Sequence, residues 1–534
     1  MKNTLLFLLS GFFSLFVFAQ NNPLINTPSL SPDGQTIAFN YQGDLWTMTV
    51  TGQNLKRLTI HEATDTNPHW SHDGKTIAFQ SNRMGSNYIY TIPASGGTPK
   101  RRTFHSANEV VPDFTADGTK IFNTGRTFVQ WEREPETHSV SADGGTPLRM
   151  LDAVGFDAAL SPNGDFIAFT RGSCRIEREA YRGPANRDIW LYNTKNDTYT
   201  QLTSFDGQDL DPQWADNNRL VFQSARSGVY NVHQMTIDND GNRTGDILQL
   251  SDLTGMGLFG YDLSVNGKTL VMHSGDALWT LDIATKSATA VNFEMASDYS
   301  FDPMERKTFS NNASEIAVSP NGNYSALVIR GEIFVTENDT KKSRTVNLSK
   351  SPYRDSDVSW LNDSTLVFVS DRNGINNLYS VSSSDDSNSN LFTSLKHTIT
   401  QLTKSKQGIT APRISPDKKQ MAYVEGNGKF IVAQISDKGK LSKHNTLLDG
   451  WDTPGNVAWS PDSKWLTYNL SDLYFNDEIY IHKADNSMKP VNISMHPKSD
   501  GGAIWSKDGS KIAFSSNRNN GDHDVWFVWL RNKD

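Results

Sequence analysis

A turn signature recurs along most of this chain and constrains what it can fold into. Ser31-Pro32-Asp33-Gly34 precedes Thr36-Ile37-Ala38-Phe39, and Ser71-His72-Asp73-Gly74 precedes Thr76-Ile77-Ala78-Phe79. Ser161-Pro162-Asn163-Gly164 precedes Phe166-Ile167-Ala168-Phe169, and Ser506-Lys507-Asp508-Gly509 precedes Lys511-Ile512-Ala513-Phe514. Weaker copies begin at Thr115, Ala215, Ser264, Ser319, Leu361, Ser415 and Ser460. The eleven turns leave ten intervals over 475 residues, a mean period of 47.5. Self-similarity at a period of about 20 to 50 residues decides a whole architecture.

One unit can be read in physical terms. Pro fixes φ at the first corner of a tight turn, Asp or Asn bonds its own backbone, and Gly accepts the left-handed position. The Ile-Ala-Phe that follows is apolar at every position, as expected of a strand covered on both faces. Ser-Asn-Arg or a relative comes next, at Ser81-Asn82-Arg83, Ser370-Asp371-Arg372 and Ser516-Asn517-Arg518. A third strand carries an aromatic, drawn from Trp46, Tyr90, Trp190, Tyr230 and Trp279, then Phe334, Tyr379, Phe430, Tyr480 and Trp526. An outer strand ends in Leu-Thr or Leu-Ser, as at Leu58-Thr59, Leu202-Thr203, Leu250-Ser251, Leu348-Ser349 and Leu402-Thr403. Repeated Asp and Arg near the turns read as structural, capping turns and pairing with neighbouring units.

Four short strands per unit predict an all-β fold of β-propeller blades. Eleven blades exceed one ring, since rings hold about four to eight. The chain therefore divides into a six-bladed propeller over residues 20–300 and a second propeller over 301–534 that shows five repeats of an expected seven. Glu294 to Asn312 has no blade pattern and reads as a connector. An open second ring would expose apolar surface at its end blades, from strands such as Ile512-Ala513-Phe514; closure of five blades on themselves is the alternative.

Lys2 and the apolar stretch Leu5 to Phe18 read as a secretory signal with a cut after Ala19, so residues 1–19 are a signal peptide and the rest is exported, periplasmic or extracellular. No later segment is apolar enough to span a bilayer. With 59 acidic and 51 basic residues the net charge is −8, and no basic cluster offers a face for nucleic acid. The single cysteine, Cys174, excludes an internal disulfide or a thiolate zinc cage.

The recurrence of Ser-Pro-Asp-Gly, Ile-Ala-Phe, Ser-Asn-Arg and the aromatic strand, in that order, resembles the WD40-like Pro-Asp family of propeller motifs. That family is found in the propeller of the Tol-system periplasmic protein and in tricorn protease. A six-blade set followed by further such blades, behind a signal peptide, looks like the N-terminal part of an exported tricorn-type serine peptidase. The resemblance covers residues 25 to 534. It implies a six-bladed and then a seven-bladed propeller ahead of a catalytic region with an embedded PDZ domain, and assembly into hexamers. The family's catalytic Ser and His lie in that later region, so the resemblance places no catalytic residue at any position here.

Four local motifs were weighed for chemistry. Gly255-Met256-Gly257-Leu258-Phe259-Gly260 spells a dinucleotide fingerprint, which needs a helix after it to hold pyrophosphate. A strand is expected there instead, so it reads as a loop between blades. His61-Glu62-Ala63-Thr64-Asp65 puts Asp where a zinc motif needs its second His, and Asp238-Asn239-Asp240-Gly241-Asn242 sets its Gly too early for a calcium loop. Cys174 neighbours Arg175 and reads as structural, a lowered thiol pKa being the other reading. No catalytic, cofactor-binding or metal-ligating residue is therefore assigned, and no cofactor is expected. Two functions stay open: propellers that admit and position peptides for a serine-peptidase core outside this sequence, or a stand-alone propeller that binds a protein or peptide partner.

Overall fold

The computed structural model describes residues 25–105, 108–110, 113–115, 119–124, 136–275, 277–295, 308–309, 311–339, 341 and 344–530. The expected signal peptide and most of the expected connector lie outside them. The described chain is all β, in tandem β-propeller blades. It forms eleven antiparallel sheets in chain order, ten of four strands and the last of three. They run 26–57, 65–101, 113–149, 156–201, 209–249, 260–290, 315–347, 355–401, 409–449, 455–492 and 500–529.

The turn chemistry repeats as residues dictate. Ser31 Oγ donates to Asp33 Oδ1 at 2.6 Å and accepts from Thr36 N–H at 2.9 Å, while Gly34 N–H donates to Ser31 O at 2.8 Å. Gly34, Gly74 and Gly509 have φ of 72°, 69° and 67°. The third strand then runs back, and the Leu-Thr hydroxyl finds its purpose. Thr59 Oγ1 accepts from Leu45 N–H at 2.9 Å, Thr203 from Ile189 at 2.9 Å and Thr403 from Leu378 at 2.9 Å. A hydroxyl thus satisfies a backbone donor where the outer strand has ended. Thr103 and Ser494 do the same for Ile89 and Ile479, although neither follows a Leu.

Ile37, Ala38 and Phe39 are fully buried, as an all-apolar second strand requires. Their alternation sends them to two different neighbours. Ile37 and Phe39 pack with Val271, Leu278 and Phe293 at the sixth sheet, whereas Ala38 packs with Ile77 and Phe79 of the second. The same relay joins the first six sheets in turn. Across the junction of first and sixth sheets, Leu30 N–H donates to Asp262 Oδ2 at 2.6 Å and Asn266 Nδ2 to Asp33 O at 3.1 Å.

The last five sheets are linked by four such clusters, seventh to eighth through tenth to eleventh. At the ends of this series apolar side chains face solvent. Ile316 is 67% exposed on the seventh sheet and Phe527 57% on the eleventh, with Ile504, Val525 and Trp529 beside it. The expectation for Ile512-Ala513-Phe514 needs correction: Ile512 and Phe514 are buried against Ile479 of the tenth sheet. The pleat puts them on the covered face, and the open face belongs to the alternate residues of the flanking strands.

Register places Tyr230 just outside its third strand and Phe430 inside its own but out of phase with the second-strand aromatic. Phe39 pairs with Trp46, Phe79 with Tyr90 and Phe368 with Tyr379. The equivalent partner of Phe222 is His233, since Tyr230 precedes the strand Asn231–Ile237. Opposite Tyr423 stands Ile431, with Phe430 one residue out of phase.

Candidate functional site

The innermost strand of several sheets carries a defect that builds the site. In the strands Asn26–Leu30, Asp65–Trp70, Phe156–Leu160 and Asp209–Trp214 the register slips by a β-bulge. Thr27, Asn67, Asp157 and Asp211 sit in these bulges with φ of 46°, 48°, 53° and 53°. Asn and Asp tolerate the left-handed region because a short polar side chain bonds locally, and a bulge re-aims side chains. These four residues line a cavity of about 630 Å³ between the inner strands of the first, second, fourth, fifth and sixth sheets. That falls in the range of about 300 to 1,000 Å³ typical of ligand pockets.

Hydrogen bonds tie the inner strands to one another around this cavity. Asn67 N–H donates to Thr27 Oγ1 at 3.3 Å, Leu263 N–H to Gln213 Oε1 at 2.9 Å, and Leu30 N–H to Asp262 as above. Tyr261 Oη donates to Asp211 O at 2.6 Å. Trp214 Nε1 reaches across to Ala159 O at 2.9 Å. Trp360 and Trp459 make the same bridge to Ala317 and Arg413 in the later sheets.

Asp157, Asp211 and Asp262 bring three carboxylates to the wall against one guanidinium, Arg187. Burial pushes the Asp157 carboxyl up, opposed by Arg187, and part of its surface still faces the cavity. Burial lowers His69 from 6.5 to about 4, so at neutral pH its imidazole adds no positive charge. The wall mixes apolar surface with polar groups, is net acidic and is lined by inner strands of several sheets, which suits extended, hydrogen-bonding and basic chains.

At one end the cavity meets an excursion, residues 172–187, inserted between the second and third strands of the fourth sheet. Its Tyr181 is fully buried, donates through Oη to Leu473 O at 2.9 Å and stacks on Phe475 with centroids 5.5 Å apart. Arg178 pairs with Asp452 at 3.2 Å and lies over Trp451 and Phe475. Behind this anchor is a second cavity of about 830 Å³, and Ile176 and Arg187 belong to the walls of both.

The motifs weighed from sequence lie elsewhere or do other work. The residues after Gly257 enter the strand Gly260–Leu263, so the glycine fingerprint has no helix behind it. His61 accepts through Nδ1 from Ala63 N–H at 2.9 Å in a loop, and Asp238 accepts from the N–H groups of Asp240 and Asn242 as a turn residue does. Cys174 is buried, and burial raises its thiol pKa, against the lowered reading. Repeated Asp and Arg pair mainly within one sheet, Arg83 with Asp65 and Arg372 with Asp355, while Arg518 also donates to Ser494 O past the tenth sheet and Arg413 of the ninth sheet pairs with Asp357 of the eighth. No group of three or more His, Cys, Asp and Glu among the described residues could hold a metal ion. No described helix is long and apolar enough to cross a membrane.

Phe259 and Gly260 of the glycine fingerprint line the axial cavity, but sequence reasoning singled out none of its bulge residues or carboxylates, and yet a signal was there. Thr27, Asn67, Asp157 and Asp211 each stand four positions ahead of the first residue of their turn, as do Asp357, Asn456 and Gly502 further on.

Closed packing of the first sheet on the sixth, inner-strand bulges and an axial cavity lined by three aspartates define a β-propeller protein with a candidate axial site. Residues 22–287 match the tricorn protease N-terminal beta propeller domain, and this part of the chain belongs to that family. The tricorn protease homolog of Saccharolobus solfataricus is 23% identical over 505 residues, which cover 91% of this chain and 43% of that protein. A stretch of 55 residues, 10% of this chain, is 36% identical to 13% of the Tol-Pal system protein TolB of Helicobacter hepaticus. The crystal structure of the tricorn protease aligns with 14% identity and a TM-score of 0.47, over 95% of this chain and 49% of that one. The chain thus spans less than half the length of the tricorn relatives it matches.

Proposed function

We propose that this chain is the substrate-handling propeller portion of an exported tricorn-like serine peptidase. It would divide into a six-bladed propeller over 20–300 and a second, five-repeat propeller over 301–534. The observation that carries the reading is the axial cavity: four inner strands turn polar residues into it, and Ile176 and Arg187 continue its wall into the cavity at the second series. A peptide held in extended form could exchange water for backbone donors and acceptors along such a wall. The three aspartates favour basic segments over acidic ones by charge complementarity.

The test uses purified residues 20–534 and fluorescent dodecapeptides of matched length, one rich in Lys and one rich in Glu. Tighter binding of the Lys peptide, weakened by salt and by Asp157→Asn with Asp211→Asn, is expected, with no cleavage of either peptide. Equal affinity for both peptides, or affinity untouched by the two substitutions, would overturn the axial reading. Turnover that survives controls for contaminating proteases would overturn the non-catalytic one.

A further inference from the structure

A third cavity, of about 530 Å³, lies where the excursion 172–187 and the loop Gly255–Gly260 meet the ninth sheet. Four carboxylates line it, Glu177, Glu179, Glu425 and Asp449, against one ammonium, Lys429. Lys429 is already engaged by Glu425 at 3.3 Å. Three acids are left without a cation in the same wall.

The second observation is Tyr230. Its side chain is 2% exposed and lines this cavity, and its Oη has no hydrogen-bond partner among the described residues. The ring's placement is enforced. Leu258 N–H donates to Tyr230 O at 3.0 Å, and a Cβ on Gly257, at φ 66°, would stand 3.0 Å from Tyr230 N. The glycines of the fingerprint-like loop thus serve close approach to Tyr230. The Tyr230 backbone N–H lies near the Glu179 carboxylate, and the Tyr230 phenol feels the charges of Glu179 and Glu177. Burial pushes Glu179 up to about 7, as befits a carboxylate lacking a counter-ion.

A buried hydroxyl left unsatisfied costs about 1–3 kcal/mol, so a ligand that bonds it is favoured. The described carboxylates are not gathered for a metal ion. An organic cation needs no such gathering, and Met256 and Phe259, 39% and 45% exposed on the wall, offer apolar surface beside it.

We propose that this cavity binds a primary ammonium carried on an apolar neighbour, with Glu179 as counter-ion and Tyr230 Oη as a hydrogen-bond acceptor. The sources with this chemistry are a peptide N-terminus and a lysine side chain. The site adjoins the axial cavity, sharing Ile176 and Phe259 in its wall, but its carboxylates are its own and it stands whether or not the axial cavity takes peptides.

The experiment titrates residues 20–534 with Leu-Gly-Gly-amide, its Nα-acetyl derivative and Nα-acetyl-lysine amide, followed by calorimetry. Binding of Leu-Gly-Gly-amide that acetylation abolishes supports a peptide N-terminus; binding of Nα-acetyl-lysine amide alone supports a lysine side chain. In either case Glu179→Gln should weaken the active probe at least tenfold and Tyr230→Phe severalfold. The acetylation contrast on the parent protein holds even if a variant fails to fold. Binding of none of the three probes at millimolar concentration overturns the proposal, as does equal binding of the acetylated tripeptide. Loss of binding in Asp157→Asn with full retention in Glu179→Gln would place the ammonium in the axial cavity and overturn it too.

Discussion

Arg83 donates from one guanidinium nitrogen to both carboxylate oxygens of Asp65, at 2.8 and 2.7 Å, while its Nε donates to Ser81 Oγ at 2.8 Å. The Asp65 side chain has no exposed surface, and the guanidinium lies over Phe79 and Tyr90. Arg226 with Asp209, Arg372 with Asp355 and Arg518 with Asp500 repeat the pair, each Arg over the Phe of its own second strand. The unit clamps the two ends of a hairpin inside one blade, with the aromatic of the third strand as its floor in three of the four.

Removing one partner strands a buried charge, which costs about 3–5 kcal/mol. Asp65→Asn is expected to destabilise residues 20–534 by roughly that amount. The double variant Asp65→Asn, Arg83→Met should lose less than the sum of its singles. Urea unfolding followed by Trp fluorescence measures both, and strict additivity would contradict the pairing.

Gly74 stands at φ 69°, with Pro32 Cδ 3.7 Å from where a Cβ would lie. Space is therefore adequate and only the backbone conformation resists. The left-handed region costs a residue with Cβ about 1–2 kcal/mol, more for β-branched ones. Lys418 and Ser463 already occupy the same turn position at φ 63° and 59°. Gly74→Val is expected to cost at least that 1–2 kcal/mol and Gly74→Asn clearly less. Equal unfolding midpoints for parent and Gly74→Val would remove the turn assignment.

His233 is 1% exposed, packs on Phe222, and burial holds its pKa at about 4 against an ordinary 6.5. The folded state thus disfavours its proton. The stability it contributes is complete above pH 6.5 and lost as pH falls toward 4. Between pH 7 and pH 5 the loss is about 2 kcal/mol. His233→Phe puts there an aromatic like those of the sister blades and should flatten this part of the pH profile. Thermal melts at pH 7 and pH 5 decide it, an undiminished acid loss in the variant counting against His233.

Val525, Phe527 and Trp529 form one solvent-facing row on the last sheet, paired through Ser515, Ala513 and Lys511. Exposed apolar patches of this kind drive association. Residues 20–534 are expected to bind a hydrophobic dye, and Val525→Lys with Phe527→Thr to reduce that signal without lowering stability. Residues 310–534 alone should aggregate or bind dye, whereas 20–300 should be monomeric and melt cooperatively. A monodisperse, dye-silent 310–534 with one sharp transition would establish a closed five-blade ring.

What the sequence determined by itself was local. The turn needs only Ser31, Asp33 and Gly34 in contiguous order, and burial of both faces of the second strand needs only the run Ile37-Ala38-Phe39. Such chemistry acts over a few residues, so it is written in them, and the blade repeat follows. Ser224-Ala225-Arg226 escaped notice because Ala replaces the middle residue, although Arg226 makes the same pair.

Tertiary structure alone decided the rest. Which aromatic faces Phe222 depends on ladder register, and one residue of slip moves a side chain to the other face. That is why His233 and Ile431, rather than Tyr230 and Phe430, stand opposite Phe222 and Tyr423. The axial carboxylates were unread because a bulge, not residue type, turns Asp157 and Asp211 inward. The junction was beyond reach altogether, since Tyr181 meets Leu473 across 292 residues of chain. Contacts of that separation are set by how whole sheets pack against each other, and no short window of sequence holds that information.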